Sequence, residues 1–335
     1  MNIYKLLKLN NSIKNHRIKF LGLFLLHKFN KRYLALNLDP VMACNLRCKM
    51  CYFTDKDYVK KIKGKMTNDE VEQIAKAIFS RALKLQIGCG TEPTLYKDLP
   101  EIVTLGKKYK VPYISLTTNA NLLTSEKIED LLSAGLDEFT ISLHGVTKES
   151  YEDFMGKANY ETFVEVFNSF SKFKEKYNFK VRVNYTFNKD NFIELKDFFE
   201  YFNKESFDIL QLRPIKSMGN TEYKDLNLES IEEAYENIIP HFREECKKNN
   251  ITLLAPNTLK KGKGFKNKAS IILRYTFCYI SPQFFWREDF KWKEESFDQY
   301  SKRKGWSKLI FSNIFKSEKK FQLENSQLNY DVEIN

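Results

Sequence analysis

Apolar positions along the chain switch between two periods. Leu34, Leu36 and Leu38 recur every second residue and stop at Pro40, which reads as a strand and its end. Thr67 and Glu70 are spaced as a capping box, and behind them Val71, Ile74, Ala75, Ile78 and Phe79 fall on one helical face. A second strand is expected over Lys84–Ile87, a helix near Pro100–Lys108 and a third strand over Tyr113–Thr117. Ser125 is expected to cap a helix carrying Ile128, Leu131 and Leu132 that stops at Gly135. Glu138–Leu143 reads as the fourth strand. Phe163, Val166, Phe167 and Phe170 mark a helix, and Val181, Val183 and Tyr185 alternate as the fifth strand. A helix near Phe192–Phe202 and a sixth strand at Ile209–Leu212 complete the series.

Six strand–helix units in a row predict an α/β fold: a parallel sheet with helices outside it. Such a sheet puts its chemistry at the C-terminal strand ends and the loops after them. The chain divides into a basic N-terminal extension (1–32), the strand–helix core (33–225) and a smaller appended C-terminal region (226–335). In that last region Leu228–Cys246 reads as a long helix and Lys260–Lys268 as a mobile loop. Phe20–Leu26 is apolar but far short of the roughly 20 residues a span needs. No small-residue cleavage site follows it, so a signal-peptide core is disfavoured. A helix lying on a membrane surface is a further reading, and a helix covering one end of the main fold is favoured over both. Cytoplasmic placement is the expectation.

Charge and cysteine content narrow the chemistry. The 335 residues carry 55 basic and 43 acidic side chains, a formal charge of +12. Such a balance favours acidic partners: a phosphorylated substrate, an acidic electron-transfer protein, an anionic membrane or nucleic acid, the last not favoured. Six cysteines are present, and three crowd into Cys44-Asn-Leu-Arg-Cys48-Lys-Met-Cys51, directly after the first strand. A secreted disulfide framework would spread them. Three thiolates from one loop suit zinc with a distant fourth ligand, or a four-iron cluster with one iron left open. Paired two-cysteine knuckles, usual in closed zinc sites, are not apparent.

The Cys-x3-Cys-x2-Cys loop after a first strand resembles the signature of the radical S-adenosylmethionine (SAM) superfamily, and the resemblance runs over about residues 33–215. It implies a partial (βα)6 barrel with Cys44, Cys48 and Cys51 holding a [4Fe-4S] cluster at the mouth. SAM would chelate the open iron, a reduced cluster would cleave it, and the resulting radical would take a hydrogen atom from substrate. Gly90-Thr91-Glu92-Pro93 resembles the family's Gly-Gly-Glu-Pro turn, which meets the SAM amino group, with Thr91 where a second Gly is usual. Asn119, Ser142, Asn184, Leu212 and Arg213 sit where the family lines its SAM pocket. Met50 replaces the usual aromatic residue before the third cysteine, and Met is adaptable enough to fill that place. Cys89, His144 and Cys278 are candidates for a catalytic group, each with a packing role as the plainer reading. Phe277–Trp286 faintly resembles the start of a SPASM or twitch-like domain without its further cysteines, hence cluster-free.

A flavodoxin- or ferredoxin-type reductant and a small-molecule or peptide substrate are the implied partners. An RNA-modifying enzyme and a non-enzymatic, zinc-stabilised binding protein are the alternatives.

Overall fold

The protein is described from a computed structural model, over residues 3–215, 228–256, 270–317 and 332–334, with residues 221 and 259. Strands run in chain order as β1 (Leu34–Leu38), β2 (Arg47–Cys48), β3 (Ala82–Ile87), β4 (Ile114–Thr118), β5 (Glu138–Leu143) and β6 (Met155–Gly156). They continue as β7 (Lys180–Phe187), β8 (Ile209–Pro214), β9 (Thr252–Pro256), β10 (Phe277–Ser281), β11 (Phe284–Phe285) and β12 (Val332–Ile334). The helices are α1 (Ile3–Ser12), α2 (His16–Lys28), α3 (Lys56–Lys61), α4 (Asn68–Ile78), α5 (Leu99–Lys108), α6 (Ser125–Ser133) and α7 (Lys148–Phe154). After them come α8 (Tyr160–Lys176), α9 (Phe198–Tyr201), α10 (Glu232–Lys248), α11 (Ser270–Thr276), α12 (Phe297–Arg303) and α13 (Trp306–Phe315).

One sheet runs β11-β10-β1-β3-β4-β5-β7-β8-β9-β12. Every pair from β10 to β9 is parallel, and the short β11 and β12 are antiparallel at the edges. The six strands read from periodicity are β1, β3, β4, β5, β7 and β8, and helices separate them. The capping box at Thr67 and Glu70 forms. Thr124 rather than Ser125 caps α6, its side chain accepting from Lys127 N. Over 192–202 the chain makes a 3-10 turn before the short α9, not one continuous helix.

Region 226–335 contributes on both sides of the sheet. β9 extends it beyond β8, and β10 lies beside β1 with Leu36 opposite Cys278. A division at 226 therefore separates stretches of sequence but not of the sheet. Phe277–Phe285 is the β10–β11 hairpin of that same sheet. Both added strands are short and mostly apolar, so they show no apolar–polar alternation to read. The Lys260–Lys268 stretch lies outside the described residues.

Side chains alternate across this sheet. Leu36, Leu38, Leu85, Ile87, Leu116, Phe139, Ile141, Val181, Val183, Leu210 and Leu212 form the buried layer under the helices. The other face is polar: Asn37, Gln86, Ser115, Thr117, Glu138, Thr140, Ser142, Arg182, Asn184, Gln211 and Arg213. That face curls on itself. Cys89 follows β3 and Arg213 lies near the end of β8, four strand positions apart, or about 19 Å in a flat sheet. Yet Arg213 and Cys89 are within electrostatic reach of each other.

At the N-terminal ends of the strands the polar face closes around Glu138. Its carboxylate accepts from Tyr113 Oη at 2.6 Å, Thr140 Oγ1 at 2.9 Å and Arg182 Nη2 at 2.7 Å. The fourth donor is the Tyr4 hydroxyl, delivered by α1. Burial pushes the Glu138 carboxyl up, but Arg182, Lys84 and the two tyrosines outweigh it and hold it below the usual range. Elsewhere, α2 and α13 pack antiparallel: His16 Nε2 donates to Lys316 O at 2.9 Å, and the His27 ring lies against Trp306.

Candidate functional site at the mouth of the barrel

Three loops meet at the C-terminal ends of β1, β3 and β4. The first carries the cysteines. Cys44, Cys48 and Cys51 are half-buried and free. Leu46 N donates to Cys44 Sγ at 3.4 Å, and Arg47 Nη1 ties the loop through Cys44 O at 2.9 Å and Leu46 O at 2.7 Å. The loop's far side is fixed by the β2–β6 ladder, with Cys48 opposite Met155, and by Lys49 N donating to Phe154 O at 3.0 Å. Burial pushes the Cys44 thiol up to about 12 and raises Cys48 and Cys51 as well. Thiols so placed become thiolates only when a cation takes the place of the proton. Among the described residues, no three His, Cys, Asp or Glu side chains gather as a single metal ion would require.

The second loop is Gly88–Pro93. Asp39, wholly buried at the end of β1, accepts from Cys89 N at 2.7 Å and Gly90 N at 3.1 Å. Its other donor is the Tyr279 hydroxyl of β10, at 2.8 Å. Tyr52, just past the third cysteine, donates its hydroxyl to Gly90 O, and Glu92 N donates to Ala43 O at 2.9 Å. Cysteine loop and turn are thus one unit. Gly88 has φ +80°, and a Cβ there would stand 2.4 Å from Thr117 O. A Cβ at Gly90 would stand 2.5 Å from the Tyr52 hydroxyl. Neither place admits a side chain without a shift.

Glu92 is buried, and its carboxylate is spoken for. It accepts from Thr94 N at 3.2 Å, Thr94 Oγ1 at 2.6 Å, Thr118 Oγ1 at 2.7 Å and Asn119 N at 2.8 Å. Burial raises its pKa against these hydrogen bonds. The carboxylate joins the second loop to the third, where Asn119 Nδ2 donates to Asn45 Oδ1 at 2.9 Å. The third loop is in turn bound to the first.

Other expected residues divide between the two faces. Ser142 and Asn184 are register partners on the polar face, and Arg213 lies beside Thr186 on the same face. Arg213 makes no hydrogen bond or ion pair among the described residues. Its charge acts on His144, which is buried with its ring against Phe154. Burial foremost, with Arg213 adding to it, pushes the imidazole pKa down to about 4, so it is neutral. Thr91 Oγ1, Thr117 Oγ1, His144 Nδ1 and Asn184 Oδ1 are buried at this end without a hydrogen-bond partner, as is Asn188 Nδ2 in the loop after β7. Met50 is half-buried and packs against the core.

Three expectations change. Leu212 has the opposite parity to Arg213, so its side chain belongs to the helix layer and is fully buried there. Cys278 is level with Leu36 on that same outer layer, away from the polar face, and cannot meet a substrate held there. Cys89 is exposed at the mouth and does not pack behind it. Sequence reading passed over Asp39, Asn45, Tyr52 and Tyr279. An Asp directly before the Pro that ends a strand was the available signal for Asp39. Nothing local points to Tyr279, which is 240 positions from its partner.

A curled parallel sheet with a three-thiol loop and unpartnered buried polar atoms at its C-terminal mouth defines an α/β enzyme built to hold a soft-metal centre beside a polar ligand. Residues 40–202 match the family model described as the radical SAM superfamily. A GTP 3′,8-cyclase of Aquifex aeolicus is 31% identical over 182 residues, covering 52% of this chain and 56% of the cyclase. A Dictyostelium discoideum protein named molybdenum cofactor biosynthesis protein 1 is 28% identical over 256 residues, 73% of this chain and 39% of that protein. The chain thus spans little more than half the length of the cyclase and less of the second relative. In structure it is similar to Streptococcus suis SuiB bound to S-adenosylmethionine, with TM-score 0.59 and 16% identity over 77% of this chain and 60% of SuiB. Residues 40–202, most of the strand–helix array, are thus of the radical SAM superfamily, whose cofactors are a [4Fe-4S] cluster and SAM.

Proposed function

We propose that the chain cleaves SAM at a cluster held by Cys44, Cys48 and Cys51 and uses the product radical to take a hydrogen atom from a small biosynthetic molecule. When bound, the reduced cluster supplies the electron that breaks the SAM sulfonium bond. The protein's own part is to orient SAM and keep water away. The observation that carries this reading is the four unpartnered atoms on Thr91, Thr117, His144 and Asn184. Buried polar groups are normally satisfied, and these await a polar ligand at the same end as the thiols. The fit to the cluster rests on three half-buried thiols in one braced loop, close enough for their charges to act on one another. Asp39 and Tyr52 hold Gly90 through its N–H and its carbonyl, which leaves Thr91, rather than the committed Glu92 carboxylate, to meet the SAM amino group. Asn119, Ser142 and Asn184 complete the SAM wall.

The relatives named GTP 3′,8-cyclase support a small-molecule substrate, and the unpaired Arg213 suits an anionic group on it. This moves Arg213 from the SAM pocket, where it was expected, to the substrate: Arg213→Met should raise the substrate concentration needed for half-maximal turnover and leave substrate-free SAM cleavage unchanged, whereas a fall in that cleavage would return Arg213 to SAM. GTP is the first compound to test. A flavodoxin or ferredoxin is the proposed donor, with turnover falling as salt screens the +12 charge.

Anaerobic reconstitution tests the reading. Iron and sulfide should bind at the level of one four-iron cluster, and 5′-deoxyadenosine should form slowly even without substrate. Ala at Cys44, Cys48 or Cys51 should abolish both. Stoichiometric zinc without sulfide would sink the proposal.

A further inference from the structure

Helix α2 is apolar on two opposite sides. Its inner side, His16, Phe20, Leu23 and His27, is buried. Ile18, Leu21 and Leu25 follow a second helical stripe that faces away, and Phe29 at the C-cap extends it. All four are exposed, Phe29 by 66%. The neighbouring α13 repeats the arrangement. Trp306, Ile310 and Asn313 face inward, while Phe311 and Phe315 face out, Phe315 exposed by 69%. Phe24 and Phe311 join the two helices at 5.1 Å between ring centroids, so the outer stripes lie side by side. Scattered exposed apolar residues are ordinary, but a contiguous run across two packed helices marks a surface that meets something apolar.

The charge around this surface says what. Residues 1–38 hold eight basic side chains (Lys5, Lys8, Lys14, Arg17, Lys19, Lys28, Lys31 and Arg32) and no acidic one. Residues 299–316 add Lys302, Arg303, Lys304, Lys308 and Lys316, again without an acid. Arg17, Lys28, Lys308 and Lys316 are exposed beside the apolar stripes. Elsewhere the chain nearly balances its charges. A protein partner would need an unusually acidic rim around an apolar centre. An anionic bilayer offers both at once, fixed negative headgroups above acyl chains.

We propose that the outer face of α2 and α13 seats the enzyme on an anionic phospholipid surface, with Leu21, Leu25, Phe29, Phe311 and Phe315 entering the headgroup–acyl boundary and the flanking lysines and arginines meeting lipid phosphates. No helix among the described residues is long and apolar enough to cross a membrane, so the attachment lies in the plane of the surface. It is reversible and falls with salt.

The test is co-sedimentation of the full-length protein with vesicles, a readout independent of cluster and SAM. One set is phosphatidylcholine alone; in the other about a third of the lipid is phosphatidylglycerol. Binding should be at least about tenfold tighter to the anionic set and largely lost in high salt. Leu25→Gln combined with Phe29→Gln should weaken it at least about tenfold, and Arg17→Glu with Lys28→Glu should do the same without touching the apolar stripe. Ile193→Gln, which removes an equally exposed apolar side chain elsewhere, should bind as wild type does. Equal binding to both vesicle sets, or none to either, overturns the proposal. So does a concentration-dependent dimer in sedimentation velocity that Phe29→Gln splits, since the face would then be covered by a second copy.

Discussion

The two ends of the polar barrel interior are built on opposite plans. At the base, Glu138 has four donors, Tyr4, Tyr113, Thr140 and Arg182, and its charge is matched by Arg182. At the mouth, Thr91, Thr117, His144 and Asn184 each present a buried atom with nothing to bind. The contrast is not complete, because Ser115 Oγ, level with Glu138 in the ladder, is also unpartnered. Still, both ends are lined by the same polar side of the same strands, so composition does not distinguish them. Satisfaction does: a carboxylate already surrounded holds the fold, while orphaned atoms hold a place for a ligand.

The largest effect should come from the base. Glu138→Ala leaves Arg182 half-buried without its counter-ion and should cost about 3–5 kcal/mol in denaturant unfolding. The same carboxylate sets a pH signature. Its folded pKa lies below the unfolded value, so its stabilisation is fully present above about pH 4.5 and is lost as pH falls through the folded value. The difference in stability between wild type and Glu138→Gln should therefore shrink on acidification. A difference independent of pH would show that packing, not charge, is what the site contributes.

An intermediate effect is expected at Glu92, which has the base's plan but stands at the mouth. Glu92→Ala strands the donors of Thr94, Thr118 and Asn119 and should cost about 1–3 kcal/mol. Iron content should hold, while the SAM concentration for half-maximal cleavage rises because Asn119 and the turn lose their common anchor. Native stability with impaired SAM binding would instead put the carboxylate on SAM itself.

The smallest change in stability belongs to Thr117→Val and Asn184→Ala. Each removes an atom with no partner in the protein, so unfolding should shift by less than about 1 kcal/mol. SAM-dependent 5′-deoxyadenosine formation should nevertheless fall. A loss of stability comparable to that of Glu138→Ala would erase the distinction between the two ends.

Much of this was legible before the structure. The six strands from Leu34 to Leu212 announced themselves by short apolar runs between capped helices; the cysteine spacing pointed to a soft-metal centre, and the family resemblance chose a [4Fe-4S] cluster over zinc. What escaped has a common cause. Phe277–Ile280 is apolar or aromatic on both faces, so neither its place beside β1 nor the inward aim of Tyr279 could be read locally. Leu212 was placed in the pocket because it adjoins Arg213, but adjacent residues on a strand face opposite ways. The Glu92 carboxylate, a SAM contact by motif, is committed to Thr94, Thr118 and Asn119, which only the approach of β4 reveals.

The bond from Tyr279 to Asp39 has a consequence in time. Asp39 braces the turn beside the cysteines, yet one of its donors is synthesised 240 residues later. At about 5–20 residues per second on the ribosome, the brace stays unfinished for roughly ten seconds or more after Asp39 is made. During that interval the thiols of a nascent chain stand on a loop lacking β10, open to oxygen and to the wrong metal. Cluster delivery after release, or a chaperone that covers the loop until β10 docks, fits the order in which this chain is made.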